Sequence, residues 1–243
     1  MNWLLVLGAR SDIAKAVAHQ FARNGFHLYL AARNHQDLNS DAKDIELRYQ
    51  VKAQAVEFDA LNYDSHQGFY DGLRERPLGV VCAVGYLGDQ KNAERDFNEA
   101  FRIIHTNFTA CVSILNVIAN DFESRQQGFI IGISSVAGDR GRQSNYFYGS
   151  AKAGFSAYLS GLRNRLSRSS VQVITVKPGF VDTRMTEGMN LPPLLTAQPE
   201  EVAESIYKAW QRLQDTVYTK WFWRWIMLVI KSIPERIFKK MGL

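Results

Sequence analysis

Hydrophobic residues occur in short continuous runs, separated by longer segments in which apolar side chains recur at helical spacing. Six runs rich in Val, Ile, Leu and Phe are candidate strands: Trp3–Leu7, His27–Ala31, Ala53–Phe58, Gly79–Val84, Gly128–Ser134 and Val171–Val176. Several of these runs are apolar throughout, which is typical of strands that are buried on both faces of a parallel sheet.

The intervening segments predict helices. Apolar residues recur three or four positions apart in three sets: Ile13, Val17 and Phe21; Leu115, Ile118 and Phe122; Phe155, Leu159 and Leu162. Strands that alternate with helices are joined by right-handed crossovers. The pattern therefore predicts an α/β protein with a single Rossmann-type doubly wound parallel sheet and helices on both faces, and such a sheet binds ligands at the carboxyl ends of its strands.

Composition is that of an ordinary globular chain, with 46% hydrophobic and 22% charged residues among 243. No linker or repeat divides it, so we expect one domain over residues 1–219 and a distinct C-terminal segment over residues 220–243. The two cysteines, Cys82 and Cys111, match no disulfide framework and no metal-ligand spacing. The first apolar run is too short for a signal-peptide core, so we expect a cytoplasmic protein.

A candidate phosphate-binding turn follows the first strand. Gly8 is followed by Arg10, Ser11, Asp12 and Ile13 at the start of the first predicted helix. The free N–H groups of a helix N-terminus attract a pyrophosphate, and glycine permits a tight turn beside it. Only one glycine is present, so the alternative is a plain strand-to-helix turn with Ser11 or Asp12 as the helix cap.

The end of the second strand indicates which dinucleotide would bind. An acidic residue there would hold the ribose 2′-hydroxyl of NAD(H), but this chain has Ala32 followed by Arg33. A guanidinium suits a 2′-phosphate, and Arg10 could join it, so NADP(H) is favoured over NAD(H). Arg33 could instead be a solvated loop residue. Asp59, after the third strand, is a candidate acceptor for the adenine amine or a turn residue.

Tyr148 and Lys152 form the strongest catalytic candidate. They stand four residues apart at the start of a predicted helix and so share one helix face. A neighbouring ammonium stabilises a phenolate, which suits a tyrosine that donates a proton to a substrate. Tyr146 lacks this arrangement because the residue four positions later is a serine.

A serine pair ends the fifth predicted strand, where an α/β site is expected. Ser135 lies thirteen residues before Tyr148, and its hydroxyl could hold the carbonyl oxygen that Tyr148 protonates. Ser134 is the alternative, although alternation along a strand directs its side chain to the opposite face.

In this order, these motifs resemble the short-chain dehydrogenase/reductase family over about residues 1–215. That family has a serine before Y-x-x-x-K at about this separation, an asparagine on the preceding helix, and a Pro-Gly after the sixth strand. The corresponding positions here are Ser135, Tyr148 and Lys152, then Asn107, and the stretch KPGFVDT at residues 177–183.

The resemblance implies hydride transfer between a nicotinamide and a carbonyl carbon, with Tyr148 as proton donor. It implies that Lys152 also holds the nicotinamide ribose and that Asn107 positions a water linking Lys152 to solvent. It implies that residues 184–199 form a substrate lid with an apolar inner face. It also implies a set of cofactor contacts from Gly85, Tyr148, Lys152, Pro178, Gly179, Val181 and Thr183.

Two motifs depart from the family pattern. The family's T-G-x-x-x-G-x-G is LGARSDIA at residues 7–14, so Asp12 stands where a glycine would let the pyrophosphate approach. The family's N-N-A-G is CAVG at residues 82–85. Neither change touches the proton-transfer residues. Asp12 could be accommodated by capping the helix and pointing away from the pyrophosphate.

The C-terminal segment is aromatic and basic. Residues 220–243 contain six Lys or Arg and one Glu, which accounts for the whole net charge of +5. Three of the five tryptophans lie in residues 221–225, beside an aliphatic run too short to span a membrane. Two interpretations stay open: a membrane-interface segment, and packing against another subunit of a homo-oligomer or over the active site. No basic patch elsewhere suggests nucleic acid.

The variant loop together with this tail more weakly resembles the keto-reductase of the decaprenylphosphoryl-ribose epimerase system. That resemblance implies a keto-sugar carried on a polyprenyl phosphate as substrate, at the inner face of a membrane. Two alternatives stay open. One is a reductase of a free ketone or acyl substrate whose tail serves oligomerisation, and the other is a non-catalytic nucleotide-binding protein.

Overall fold

A seven-stranded parallel sheet forms the centre of the computed structural model, which describes residues 2–242. Its strands are β1 Trp3–Leu7, β2 His27–Ala32, β3 Ala53–Glu57, β4 Gly79–Cys82, β5 Gly128–Ile133, β6 Val171–Pro178 and β9 Thr216–Thr219. They lie in the order β3-β2-β1-β4-β5-β6-β9, and every neighbouring pair is parallel. Met1 and Leu243, the outer ends of the two predicted ranges, lie outside the described residues.

Helices cover both faces of the sheet. They are α1 Asp12–Arg23, α2 Asn39–Tyr49, α3 His66–Asp71, α4 Gln90–Ala93, α5 Phe97–Ile104, α6 Ala110–Arg125, α7 Tyr146–Leu166, α8 Pro199–Gln211, α9 Trp223–Ser232 and α10 Glu235–Phe238. One buried apolar cluster joins α1 and α8 to the sheet, and a second joins α6 and α7 to it. The predicted doubly wound Rossmann-type sheet is confirmed.

Strand boundaries differ from the predictions where the chain leaves the sheet. The predicted strand Gly79–Val84 ends at Cys82, and the strand predicted to reach Ser134 ends at Ile133. The sequence pattern also missed β9, because that strand is short and only Thr219 in it is buried. A separate two-stranded sheet, β7 Phe180–Val181 and β8 Thr196–Ala197, was not predicted either.

The continuous helical stretch Phe97–Arg125 is long and apolar enough, by length and composition, to cross a membrane. It contains α5, a π-helical turn at His105–Thr109, and α6. Ile114, Leu115 and Ile118 of α6 are completely buried in the cluster between the helices and the sheet. The α6 part of this stretch therefore packs in the core of the domain.

Helix α7 approaches the turn after β5 very closely at Gly138. A Cβ atom at this position would lie 2.7 Å from the backbone nitrogen of Ala153 and from the carbonyl carbon of Lys152. Backbone atoms cannot move aside as the end of a flexible side chain can. The absence of a side chain at Gly138 therefore sets how near α7 lies to β5, and with it the position of Lys152.

We expect Gly138→Ala to lower the free energy of unfolding by about 1–3 kcal/mol, the usual cost of overpacking a tight contact. Gly161→Ala is the matched control, because Gly161 is exposed on the same helix and a Cβ there meets nothing within 4 Å. The control should be neutral or stabilising by up to about 1 kcal/mol, since alanine favours helix. Urea unfolding curves measure both, and equal stabilities would contradict the packing argument.

Candidate active site

A cleft of about 370 Å³ opens at the carboxyl ends of β1, β4, β5 and β6. It brings together many of the residues predicted from the sequence: Ser11, Asp12, Ile13, Gly85, Ser135, Tyr148, Lys152, Pro178, Gly179, Val181 and Thr183. Gly8, Arg10, Arg33, Asp59 and Asn107 do not line it. Most of the predicted site is thus assembled at the sheet edge where a ligand is expected.

Tyr148 and Lys152 lie on the first turns of α7 and face this cleft. Lys152 is 3% exposed, and its ammonium donates to the Ile133 carbonyl oxygen at 3.0 Å. It lies 5.7 Å from the centre of the Tyr148 ring. Because α7 is continuous here, the spacing of four residues places both groups on the face that looks toward the end of β5.

The two serines at the end of β5 have different environments. Ser134 is buried, and its Oγ donates to the Lys152 carbonyl oxygen at 2.9 Å and lies 2.7 Å from the Ser156 hydroxyl. The Ser135 Oγ accepts from the Ala137 backbone nitrogen at 3.1 Å and lies at the wall of the cleft. Ser134 therefore anchors α7, whereas the Ser135 hydroxyl keeps its proton available for a ligand.

Asn107 lies behind the cleft in the π-helical turn. It is completely buried; its amide nitrogen donates to the carbonyl oxygens of Tyr86 and Ile103, and its Oδ1 accepts from the Tyr86 nitrogen. A Cβ on Gly85 would lie 3.3 Å from that Oδ1 and 3.7 Å from the Lys152 ammonium. Asn107 thus holds the segment after β4 beside Lys152, while its predicted role in placing a water stays a prediction.

The turn after β1 needs its one glycine. Gly8 has a φ of 77°, and a Cβ there would lie 2.9 Å from the backbone of Ala83 and Val84. Ser11 caps α1, since its Oγ accepts from the Ala14 nitrogen at 3.1 Å. The first free N–H groups of α1 therefore stand at the rim of the cleft, beside the end of β4.

Asp12 does not cap α1, so the accommodation expected from the sequence is wrong. Its carboxylate accepts from the Arg184 backbone nitrogen at 2.9 Å and from the Arg184 Nε at 3.0 Å. Arg184 also donates to the Arg10 carbonyl oxygen. This contact joins residues 172 positions apart. The Arg184 guanidinium offsets the negative charge of Asp12, which would otherwise repel a phosphate at the N-terminus of α1.

The residues predicted for the far end of the cofactor surround the end of β2. Arg10 pairs with Asp37 at 3.0 Å, whereas no carboxylate within residues 2–242 forms an ion pair with the Arg33 side chain, which is exposed. Glu57 accepts from the backbone of Asn34 and His35, which fixes the turn that carries Arg33. Asp59 accepts from the Leu61 nitrogen at 3.0 Å and thus acts as a turn residue.

The segment 184–199 forms part of the cleft wall. Met185, Thr186 and Met189 line the cleft. Leu194 belongs to the segment expected to have an apolar inner face, but it is 85% exposed and does not line the cleft. A short 3₁₀ turn at Pro193–Leu195 directs it outward, because the chain bends there to enter β8.

The sequence analysis missed two polar residues of the cleft in the loop before α7. Arg142 and Asn145 belong to the loop between β5 and α7 and line the same cleft as Tyr148. Polar residues in a loop carry no periodicity, so no sequence pattern distinguishes them from solvated neighbours.

The C-terminal segment packs against the cleft from outside. The Trp223 side chain occupies the space that a Cβ on Gly179 would need, and its Nε1 donates to the Leu195 carbonyl oxygen at 3.2 Å. Arg140 donates to the carbonyl oxygens of Ile230, Lys231 and Ile233 at the end of α9. Part of the segment therefore covers the same chain's own Pro-Gly turn.

Known proteins share this sequence and architecture. The family described as short chain dehydrogenase matches residues 2–192. An uncharacterized oxidoreductase of Mycobacterium tuberculosis is 35% identical over 241 residues, covering 98% of this chain and 96% of that protein.

Solved structures share the fold at lower identity. A short-chain dehydrogenase from Sphingobium yanoikuyae in complex with NADPH has a TM-score of 0.83 at 22% identity, covering 97% of each chain. A 3-oxoacyl-[acyl-carrier protein] reductase from Brucella melitensis with bound NAD has a TM-score of 0.77 at 21% identity, covering 89% of this chain and 88% of that one. The chain belongs to the short-chain dehydrogenase/reductase family of oxidoreductases.

Proposed function

We propose that this protein uses NADP(H) to reduce a carbonyl carbon, or to oxidise the matching alcohol, with Tyr148 as the proton donor. The observation that carries the proposal is that Tyr148, Lys152 and Ser135 line one cleft, together with the N-terminus of α1. Three chemically suited groups and a phosphate-attracting helix end converge at the sheet edge that binds ligands in this architecture.

Each side chain has a defined task in this proposal. The Ser135 Oγ accepts from the Ala137 nitrogen, so its O–H can donate to the substrate oxygen. Tyr148 gives its proton to the same oxygen, and the buried Lys152 ammonium stabilises the phenolate that remains. When bound, the nicotinamide supplies the hydride. Met185 and Val181 contribute apolar surface to the cleft wall.

The residues present fit a dinucleotide with a 2′-phosphate. The close contact of Gly8 with Ala83 and Val84 leaves room for only a glycine and keeps the first turn of α1 open to a pyrophosphate. Arg184 neutralises Asp12, which offsets the missing second glycine. At the end of β2, Arg33 offers a guanidinium to which no carboxylate in the described chain is paired. Solved structures of this fold hold NADPH or NAD, so the preference for NADP(H) rests on Arg33.

Tyr148→Phe should lower turnover by at least ~100-fold, since a positioned general acid contributes about 10²–10⁴-fold. NADPH affinity should stay near normal, because the phenyl ring keeps the packing. Tyr146→Phe is the control, as Tyr146 lies two residues away and is 39% exposed. Oxidation of NADPH with a panel of ketones measures turnover, and fluorescence titration measures affinity. Comparable activity in the two variants would refute the assignment of Tyr148.

Arg33→Ala should weaken NADPH binding by about tenfold and change NADH binding by less than about twofold, because only NADPH carries the 2′-phosphate. The control is Arg212→Ala, which removes an equally exposed arginine after α8. Dissociation constants for both cofactors provide the comparison. Equal losses for NADPH and NADH in Arg33→Ala would remove the basis for choosing NADP(H).

We further propose that the C-terminal segment binds an anionic lipid surface at the inner face of a membrane. Its buried side carries Trp223 and Met227, whereas Trp221, Trp225, Leu228 and Val229 are 54–73% exposed on the opposite side. Exposed cations flank them on the same segment: Arg224, Lys231, Arg236, Lys239 and Lys240. An exposed aromatic and aliphatic stripe with cations at its edges complements anionic headgroups above an acyl boundary.

Changing both Trp221 and Trp225 to serine should abolish sedimentation with vesicles that contain phosphatidylglycerol, while leaving the fold intact. The matched control changes Leu194 and Leu213, which are 85% and 75% exposed elsewhere, to serine. Neutral phosphatidylcholine vesicles should bind the wild type weakly. If the wild type binds no vesicles and light scattering shows that the tryptophan changes split an oligomer, the surface is a subunit contact and the membrane proposal is wrong.

A lipid-linked keto-sugar is the substrate that fits both the proposed carbonyl reduction and the proposed membrane contact. A cleft bordered by a membrane-binding segment can receive the polar end of such a lipid. A free ketone or acyl substrate is the alternative, and the same NADPH oxidation assay distinguishes them when a polyprenyl-phosphate keto-sugar is included. The predicted homo-oligomer stays a prediction.

A further inference from the structure

Arg142 is an arginine with almost no partner inside the cleft. Its Nη2 lies 3.2 Å from the Met227 sulfur, a weak acceptor, and its Nε is buried without any hydrogen-bond partner. Throughout residues 2–242, no carboxylate lies within ion-pair distance of it. Burial lowers the pKa of the guanidinium, and the Asp139 carboxylate raises it in part. Arginine nevertheless remains charged, so the cleft wall contains an uncompensated, partly desolvated cation.

Asp139, the carboxylate whose charge acts on Arg142, is already bonded to other groups. The Asp139 side chain is 3% exposed, and its two oxygens are bonded to the Lys177 ammonium at 2.5 Å and to the Tyr218 hydroxyl at 2.8 Å. Those contacts join the loop after β5 to β6 and β9, and they give each carboxylate oxygen a partner other than Arg142. Arg142 therefore has no structural anion to neutralise.

Arg140 shows what a structural arginine in the same loop is like. Its guanidinium donates to three carbonyl oxygens at the end of α9, pairs with Glu235 at 2.8 Å, and covers the Phe238 ring at 3.9 Å. Arg142, two residues later, makes no contact of this kind with the C-terminal segment beyond the Met227 sulfur. Anchoring that segment does not account for its charge.

A second unsatisfied group stands beside Arg142. The Asn145 backbone nitrogen donates to the Arg142 carbonyl oxygen at 3.2 Å, so a turn brings the two residues together. Asn145 is the N-cap residue of α7, yet its side chain makes no capping bond, and its Oδ1 is buried without a donor. Buried polar atoms in native proteins nearly always have partners, so a missing donor at a cleft wall points to a ligand.

We propose that Arg142 binds an anionic oxygen group of the substrate, a phosphate or a carboxylate, and that Asn145 accepts from a hydroxyl of the same molecule. This inference rests on the proposed function, because it assigns specificity to the carbonyl substrate of Tyr148. Asn145 lies directly before the first turn of α7, which carries Tyr148. The substrate is then a ketone or alcohol that carries both a hydroxyl and an anionic group beyond the reacting carbon.

Calorimetric titration of the NADPH-saturated protein with inorganic phosphate tests the anion site, because bound NADPH occupies the protein's cofactor phosphate sites. Ionic strength is held constant with sodium chloride. Arg142→Met should weaken phosphate binding by at least about tenfold, the loss expected for a charge-assisted contact. Arg140→Met is the control: it removes an equal charge and loosens the C-terminal segment more, yet should leave phosphate binding unchanged.

Asn145→Asp gives a second variant that keeps the size of the side chain and should fold normally, since a carboxylate is favourable at a helix N-terminus. The new carboxylate would pair with Arg142 and repel an anion, so phosphate binding should also be lost. A parallel titration with acetate distinguishes the two anion classes. If acetate binds as phosphate does, the site accepts carboxylates, and if only phosphate binds, it is a phosphate site.

The inference is overturned if the NADPH-loaded wild type binds neither anion, or if Arg142→Met and Arg140→Met behave alike. Binding does not require turnover, so failure of the proposed function is recognisable separately. An Arg142-dependent anion site in a protein that oxidises no NADPH with any carbonyl compound would support the anion site and contradict the proposed reductase activity.

Discussion

The site depends on the hydrogen bond from the buried Lys152 ammonium to the Ile133 carbonyl oxygen. An ammonium removed from water costs several kcal/mol unless hydrogen bonds replace its hydration. The Ile133 carbonyl oxygen supplies one at the last residue of β5, and Ser134 returns a bond from the same strand end to the Lys152 carbonyl. These two contacts, with the close approach at Gly138, fix α7 against β5. Tyr148 and Ser135 therefore line the same cleft, because their elements are held together at Lys152.

Much of this could be predicted from the sequence, because burial on both faces of a sheet produces continuous apolar runs. A strand that is only partly buried has no such apolar run. Strand β9 was missed for that reason, since only Thr219 in it is buried. The Tyr148–Lys152 pair was recognisable because a helix brings side chains four residues apart close together. The Asp12–Arg184 ion pair was not, since it joins residues 172 positions apart and no local rule relates them. Arg142 and Asn145 could not be predicted, because polar residues in a loop carry no periodicity and a missing hydrogen-bond partner is seen only in the structure.

The C-terminal segment shows how one stretch of sequence can support two interpretations that are compatible. In the structure, Trp223 and Met227 pack against the chain itself, while Trp221 and Trp225 point outward. Covering the Pro-Gly turn therefore uses only one side of α9. The outward side of α9 is therefore free to contact another surface. The cations are concentrated along the same segment.

Charge is distributed unevenly along the cleft, and this limits what it can bind. At the N-terminus of α1, Asp12 and Arg184 cancel one another, and Arg33 does not line the cleft. Val181 and Met185 contribute apolar surface to the cleft wall. Arg142 lines the cleft and also contacts Met227 of the C-terminal segment. A neutral ketone would leave that guanidinium uncompensated in a partly dry wall, whereas an anionic group would replace the hydration it has lost. Because Arg142 touches the segment whose outer face is aromatic and basic, the anionic end of a substrate would lie toward that surface, with its carbonyl toward Tyr148.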